Sequence, residues 1–325
     1  MIEIHEPEHY FRLQKKLPHI PFTQSEAWYK YLKTYNTTFA FFVDDEKDTK
    51  IATWGRIQKI PIIGGCILRL DGESYQPEVN EKIIKSFYSE LSRLNYRAIE
   101  VNSNNNYVID FEIGIRRAGF VRPYSLVACP LSIEIDLQSD FNFDGNWKRN
   151  VKKALSHNLV FEELTNITDN VLSDIILMFQ EMADLKQLTY SLEHDSLKNL
   201  LTSKGIRTFW VTDKNSKPIA ARIIHEYNNY LTDVFAANSI AARDCGATYY
   251  MMDSLLKLFK EEGKVYFDFG RIPPSNHATD SVYVFKNASR GCKIQYNGEW
   301  VFYKNKWVEY LMFVYKQFIV KKQRY

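Results

Sequence analysis

The sequence has no Cys-x-x-Cys pair, no long apolar run and little net charge, and each lack closes off a class of function. Its four cysteines, Cys66, Cys129, Cys245 and Cys292, stand far apart, and no cluster of histidines accompanies them. A zinc site needs closely spaced Cys or His ligands, so no metal is expected and the thiols read as reduced, buried small hydrophobes. The longest apolar clusters, TFAFFV and YLMFVY, fall far short of the ~18 residues a membrane span needs. In MIEIHEPEHYFR, acidic residues stand where a secretion signal carries bases and then an apolar core, so export is not expected and a cytoplasmic location is the default. Net charge is only +3 over 325 residues, too little to mark a DNA-binding protein.

A further absence bears on Asp268-Phe269-Gly270, the triplet of the magnesium loop in protein kinases. Phosphoryl transfer also needs a Gly-rich phosphate loop, a strand lysine and His-Arg-Asp in a set order before that triplet. None precedes it, and Gly64-Gly65 lacks the required spacing.

The composition itself, 45% hydrophobic and 25% charged, is that of an ordinary globular protein long enough for two domains. Its bases are unevenly spread. WKRNVKKALSHN (147–158) carries Lys148, Arg149, Lys152 and Lys153 without an acid, and from Lys304 onward six Lys/Arg face only Glu309. Such segments are either solvated helix faces or contacts for phosphates or an anionic membrane surface. In the last segment Trp307, Leu311, Tyr315 and Phe318 have helical spacing, which predicts a helix packed on a domain, with weak membrane-surface contact as the other use.

Hydrophobic periodicity gives one pattern twice. A helix at SEAWYKYLKTYN, with Ser25 as N-cap and Trp28 as a core anchor, precedes strands at TFAFFV, IATWGRIQKI and GCILRLDG. A helix at EVNEKIIKSFYSELSRLN, a strand at YRAIEVNSN, a short helix around VIDFEIGIRRAG and a strand at LVACPLSIEIDL follow. After the basic segment and a strand at Val160-Phe161-Glu162, the order recurs. Helices at DNVLSDIILMFQEMADLKQ and HDSLKNLLTSKG lead into three antiparallel strands over 206–238, with turns at 213–216 and 228–229. ATYYMMDSLLKLFKEEG is a helix ending near Gly263, KVYFDFG a strand, and Tyr283 to Arg290 a short helix. Two strands, CKIQYNG and EWVFYK, and a final helix close the chain. The fold class is mixed α/β, in two units at 1–155 and 156–325, with the last helix able to return to the first unit.

This order resembles two tandem GNAT acyltransferase units, each a mostly antiparallel sheet flanked by helices, and more specifically the FemABX family and related FemAB-like acetyltransferases. Four segments carry the likeness. PFTQSEAWYKYLK resembles the family's Gln-Ser before a Trp. WKRNVKKALSHN resembles its Arg-x-x-(Ile/Val)-(Lys/Arg)-(Lys/Arg)-Ala helix, with Arg149 and Lys152 in the basic positions. Arg243-x-x-Gly246-x-Thr248 approximates the acyl-CoA loop, where small residues let backbone N–H groups approach a pyrophosphate at a helix N-terminus. Asp268-Phe269-Gly270-Arg271 followed by Phe285-Lys286 resembles the acyl-transfer edge of the second unit.

The resemblance implies amide formation from an acyl donor used as co-substrate, aminoacyl-tRNA or acetyl-CoA, with no covalently bound cofactor. The acceptor would be a muropeptide or small-molecule amine. Acyl transfer passes through an oxyanion and releases a proton from the amine. Lys286 is the candidate for stabilising that oxyanion or a donor phosphate, with Phe285 packed beside it. Asp268 either orients Arg271 or Lys286, accepts the amine proton, or caps its loop. Arg271 is a candidate for binding a substrate carboxylate or phosphate, and Arg149, Lys152, Arg243 and Gly246 for the donor, including the acceptor end of a tRNA. His225 reads as structural. A duplicated scaffold that binds without turnover is the competing class.

Overall fold

The computed structural model describes residues 1–60, 64–124, 128–186, 191–272, 274 and 281–318. Local chemistry sets several helix starts. The side chains of Ser25, Asn80, Asp144 and Ser239 each accept a backbone N–H from the first turn of the helix that follows, as good N-caps do. The first half of the chain runs β1 (Ile2–Ile4), α1 (Pro7–Gln14), α2 (Glu26–Lys33), β2 (Thr38–Val43), β3 (Ile51–Lys59), β4 (Cys66–Leu70), the short β5 (Ser74–Tyr75), α3 (Glu81–Arg93), β6 (Ala98–Asn106), α4 (Ile109–Arg117) and β7 (Leu131–Asp136), and closes with α5 (Gly145–Leu155). The second runs β8 (Val160–Glu163), α6 (Asp169–Lys186), α7 (His194–Leu201), β9 (Ile206–Thr212), β10 (Pro218–Tyr227), β11 (Tyr230–Asn238), α8 (Ile240–Cys245), α9 (Ala247–Glu261), β12 (Tyr266–Asp268), α10 (Ser281–Asn287), β13 (Cys292–Tyr303) and α11 (Lys306–Phe318).

The duplicated order is plain. Edge strand, two helices, three antiparallel strands, a helix, a parallel strand, a short helix and a last strand occur in each half. The sheet order is β1-β2-β3-β4-β6-β13-β7-β12-β11-β10-β9-β8, with β5 beside β3. The last strand of each half crosses over. β7, from the first half, pairs with β12 of the second, and β13, from the second, pairs with β6 of the first. The two exchanged strands also pair with each other, so one mixed sheet runs through the molecule.

The two strands expected at CKIQYNG and EWVFYK are one strand, β13. Its Cys292–Gln295 segment pairs with β7 and its Tyr296–Tyr303 segment with β6, and the register shifts between Tyr296 and Gly298. Gly298, at φ 71°, supplies the left-handed residue at that irregularity. The Asn-Gly that signals a turn in the sequence here accompanies a change of strand partner within a continuous strand.

Helices cover both faces. α3 and α4 pack on the outside of the first half-sheet around Phe87, Tyr88 and Trp300, and α5 and α9 on the outside of the second around Trp147, Leu255 and Phe267. Between the halves lies a shared core in which Phe41 and Trp54 join Ile223 and Ala237, with side chains of α1, α2, α6 and α7. Burying each such side chain contributes about 1.5–3 kcal/mol. Trp28 anchors here as expected, stacked 4.9 Å from Tyr31 and 6.5 Å from Phe235 of the other half. The expectation of buried cysteines holds only for Cys245; Cys66 and Cys129 are half-buried and Cys292 is exposed. No helix among the described residues is long and apolar enough to cross a membrane.

In each half the parallel pair diverges after a few residues. In the first, β4 leaves β6 after Leu70↔Val101, and the gap is filled by Glu73. Its buried carboxylate accepts from Ser103 Oγ (2.6 Å), Asn105 Nδ2 (2.9 Å) and Tyr88 OH (3.1 Å). In the second, β12 leaves β11 after Thr232↔Asp268. The chain beyond it turns to β7 instead, with Phe269 N–H on Ile133 O and Ile272 N–H on Leu131 O. Chemically varied side chains collect at this second divergence.

Candidate functional site

Strand alternation builds the site. On β7, Ile133 and Ile135 enter the core under α9, and on β12 so does Phe267; Ser132, Glu134 and Asp268 therefore share the opposite face. The register sets Asp268 directly against Glu134 on one side and against Thr232 on the other, with His225 one strand further. Asp268, at 4% exposure, accepts at Oδ1 from Ser132 Oγ (2.5 Å) and Gly270 N–H (2.7 Å), and at Oδ2 from the Tyr296 hydroxyl. Half-buried Glu134 accepts from the Tyr230 hydroxyl.

Two carboxylates facing each other in a partly dry seam cannot both ionise easily. Burial raises the pKa of each, and the charge of Asp268 raises Glu134 further. Burial and the neighbouring carboxylates also push the Tyr230 and Tyr296 phenols upward, which keeps both as hydrogen-bond donors. The arrangement is a carboxyl pair held by phenol donors that do not themselves titrate near neutrality.

On the same sheet face, but lined by none of the seam residues, a cavity of ≈ 700 Å³ opens between α1–α2 of the first half and β9–β10 of the second. Lys15 and Lys30 stand at it, each 3.0 Å from Glu26, whose pKa falls under their influence although burial, the largest effect on it, pulls the other way. His225 lines its floor. Burial lowers that imidazole to about 3 and the nearby His19 to about 4, so both are neutral. His19 packs edge-on at 4.7 Å to Tyr230, whose hydroxyl donates to Glu134. From His225 to Asp268 is two strand spacings, about 10 Å.

The residues singled out in the sequence divide. Asp268 lies at the centre of the seam. Arg271, the candidate for a substrate carboxylate or phosphate, donates from its guanidinium to Asn104 Oδ1 (2.9 Å), Asn102 Oδ1 (2.5 Å) and Cys129 O (2.9 Å), stitching β6 to the entry of β7. Lys286 Nζ donates to three successive carbonyls, Phe269 (2.6 Å), Gly270 (3.3 Å) and Arg271 (3.0 Å). An ammonium has three protons, so Lys286 holds the loop that carries Asp268 and Arg271 in shape. Phe285 lies stacked at 5.5 Å on Trp147 and edge-on to Tyr249 at 4.9 Å, beneath the Arg222 guanidinium.

Arg149 and Lys152 are exposed on α5 and Arg243 on α8, on the α9 side of the sheet and away from the carboxylates. Arg149 donates to Asn146 Oδ1 at 2.7 Å. Ile240–Cys245 is helical rather than an open phosphate loop, and Gly246 ends it at φ 78° with its N–H on the carbonyls of Ala242 and Arg243. A Cβ there would meet the Asn150 carbonyl oxygen at 2.7 Å. Gly246 therefore serves the packing of α5 on the α8–α9 corner. Gly246→Ala is expected to lower stability by at least about 1–2 kcal/mol, the cost of a left-handed non-glycine, read as an earlier urea midpoint.

Glu134, Tyr230, Tyr296 and Ser132 were not singled out in the sequence. LSIEIDL does show the alternation that puts Ser132 and Glu134 on one face, but nothing local says what that face meets.

No family model matches the sequence, and neither does any curated protein. Solved structures do. The crystal structure of FemX superposes with a TM-score of 0.76 over 96% of this chain and 100% of that one, at 11% identity. The chain has the FemX fold. L-PGS from Bacillus licheniformis shares it at a TM-score of 0.63 and 14% identity, over 97% of both chains. A tandem GNAT protein from the clavulanic acid biosynthesis pathway is similar at 0.51 and 10% identity, over 92% of this chain and 93% of that one. The likeness to FemX spans both halves and includes the region of strand exchange, so the tandem GNAT-like reading of the sequence holds for the fold. At such identities FemX lends an architecture and no residue roles.

Proposed function

We propose that the protein is an acyltransferase that forms an amide by moving an aminoacyl or acyl group from an activated donor to an amine. The observation that carries this reading is the Glu134–Asp268 pair, set in a hydroxyl-lined seam on the sheet face whose cavity, at His225, lies two strands away. The acceptor occupies the cavity and presents its amine to the pair. A carboxylate of the pair takes a proton from the ammonium, and the freed nitrogen attacks the donor's carbonyl carbon. The C–N bond forms, the tetrahedral oxyanion collapses, and the C–O or C–S bond of the donor breaks. The pair gives that first proton up to solvent; the attacking nitrogen sheds its second proton once bonded to carbon, and this one passes through the pair to the departing alkoxide or thiolate, so of two protons lost one is released over the cycle. Lys286 and Arg271 are positioning residues that hold the loop and the strand junction around Asp268.

Aminoacyl-tRNA with a muropeptide acceptor is the first donor–acceptor combination to try, and acetyl-CoA with a small amine the second. A binding role without turnover is the other reading, favoured by the engagement of Lys286 and Arg271 with the protein itself. Labelled aminoacyl-tRNA or acetyl-CoA incubated with the protein and a UDP-linked muropeptide, followed by mass spectrometry, separates them. A new amide supports transfer and identifies the donor; bound ligand without product supports the binding role.

A further inference from the structure

Helix α11 is apolar on two faces, and among the described residues only one is covered. Val308 is buried against Ile67 and Ala98, with Met312, Ile60 and Tyr303 packed around them, so the helix is seated on the first half-sheet. This corrects the inward stripe expected at Trp307 and Leu311; the side chains of Tyr315 and Phe318 lie outside the described residues. The reason is that the strip three and four residues on from Trp307 is as apolar as the strip through Val308, and the sheet can cover only one of them. Trp307 is 75% exposed, Tyr310 59% and Leu311 38%.

The surface around this strip has a particular chemistry. Tyr124, 59% exposed, packs edge-on at 5.1 Å to Phe313, and its hydroxyl donates to Glu309 at 2.6 Å. The one acid of the helix is thus tied to an aromatic that widens the apolar strip. Lys304, Lys306 and Arg97 are exposed beside it, with Lys304 N–H on the Arg97 carbonyl at 2.9 Å. In the sequence, Lys316, Lys321, Lys322 and Arg324 follow Glu309 with no further acid.

Aromatic and aliphatic side chains projecting from a fixed helix, rimmed by bases, match the boundary between lipid headgroups and acyl chains. We infer that α11 docks the protein on an anionic phospholipid surface. Trp307, Tyr310 and Leu311 enter the headgroup boundary, and Lys304, Lys306 and Arg97 face the phosphates. The charge on the rim selects a lipid surface over a second copy of the chain, because two copies would bring these bases together across a shared interface. The inference does not depend on the acyl-transfer reading.

The test is co-sedimentation of the full chain with vesicles of phosphatidylcholine alone and of phosphatidylcholine mixed with phosphatidylglycerol. The wild type is expected to sediment with the mixed vesicles and less as salt rises, and the variant Trp307→Ser/Tyr310→Ser/Leu311→Ser to partition roughly tenfold more weakly or worse. Because the three side chains are exposed, the variant's melting curve should match the wild type's. No sedimentation of the wild type with mixed vesicles overturns the inference, as does equal partition of a folded variant. A wild-type dimer that the substitutions convert to monomer also overturns it, since a second copy then covers the face. The lipid and salt dependence of the wild type decides the matter even if the variant folds poorly.

Discussion

Glu134→Gln is expected to lower kcat for acyl transfer by about 10²–10⁴-fold, the usual worth of a positioned proton acceptor. The substitution keeps the shape of the side chain and leaves an amide oxygen to accept the Tyr230 hydroxyl, but it removes the group that takes the amine's proton. KM for the acceptor should move little, because the cavity walls are untouched. The wild-type rate should rise with pH as the carboxylate pair loses its proton, and the Gln variant should lack that limb. Stability runs the other way. A carboxyl whose folded pKa is raised contributes stability that is fully present below its unfolded pKa and is lost as pH rises through the folded value. Burial raises Glu134, so the Gln variant should be as stable as the wild type at neutral pH or more so. Wild-type kcat in Glu134→Gln would remove the pair from the mechanism.

Arg271→Ala should cost about 3–5 kcal/mol. Its guanidinium satisfies two asparagine oxygens and the Cys129 carbonyl where β6, β13 and β7 meet. A fully buried acceptor left unpaired costs about 1–3 kcal/mol, and these three, being part-buried, fall in the lower half of that range. Against a total stability of about 5–15 kcal/mol, that is a large fraction, and urea unfolding should show it as a much earlier midpoint. Arg271→Lys should recover only part, since a point-like ammonium cannot reproduce the fork that reaches three acceptors. A shift smaller than about 1 kcal/mol, the size of an ordinary surface change, would return Arg271 to the substrate-binding role.

The first expectation concerns a residue that the sequence did not single out, and the second a residue singled out for a different role. Asp268, Arg271 and Lys286 stood out because they resemble a family motif, and the structure does bring them together. Their division of labour comes from hydrogen bonds to partners far along the chain: Ser132 for Asp268, Asn102 and Asn104 for Arg271. Lys286 reaches back 15 to 17 residues to three carbonyls, a contact that no pattern of residue types announces. Gly246, marked in the sequence for donor binding, has a left-handed backbone at a helix corner packed against α5. The same local signal, a glycine before a helix, fits an anion cradle and a close packing contact equally well.

What the sequence determined by itself is the set of elements and their repeated order, because caps, turns and periodicities of 2 and 3.6 are local and each half states them separately. That was enough to reach the FemX fold. What only the tertiary structure decided is the pairing of strands across the duplication. β7 and β13 leave their own halves, and that exchange sets Glu134 against Asp268 and Tyr296 beside them. Which strand a given edge accepts, and which of two apolar helix faces it covers, depends on the total area buried by the whole chain; no window of neighbouring residues contains that information.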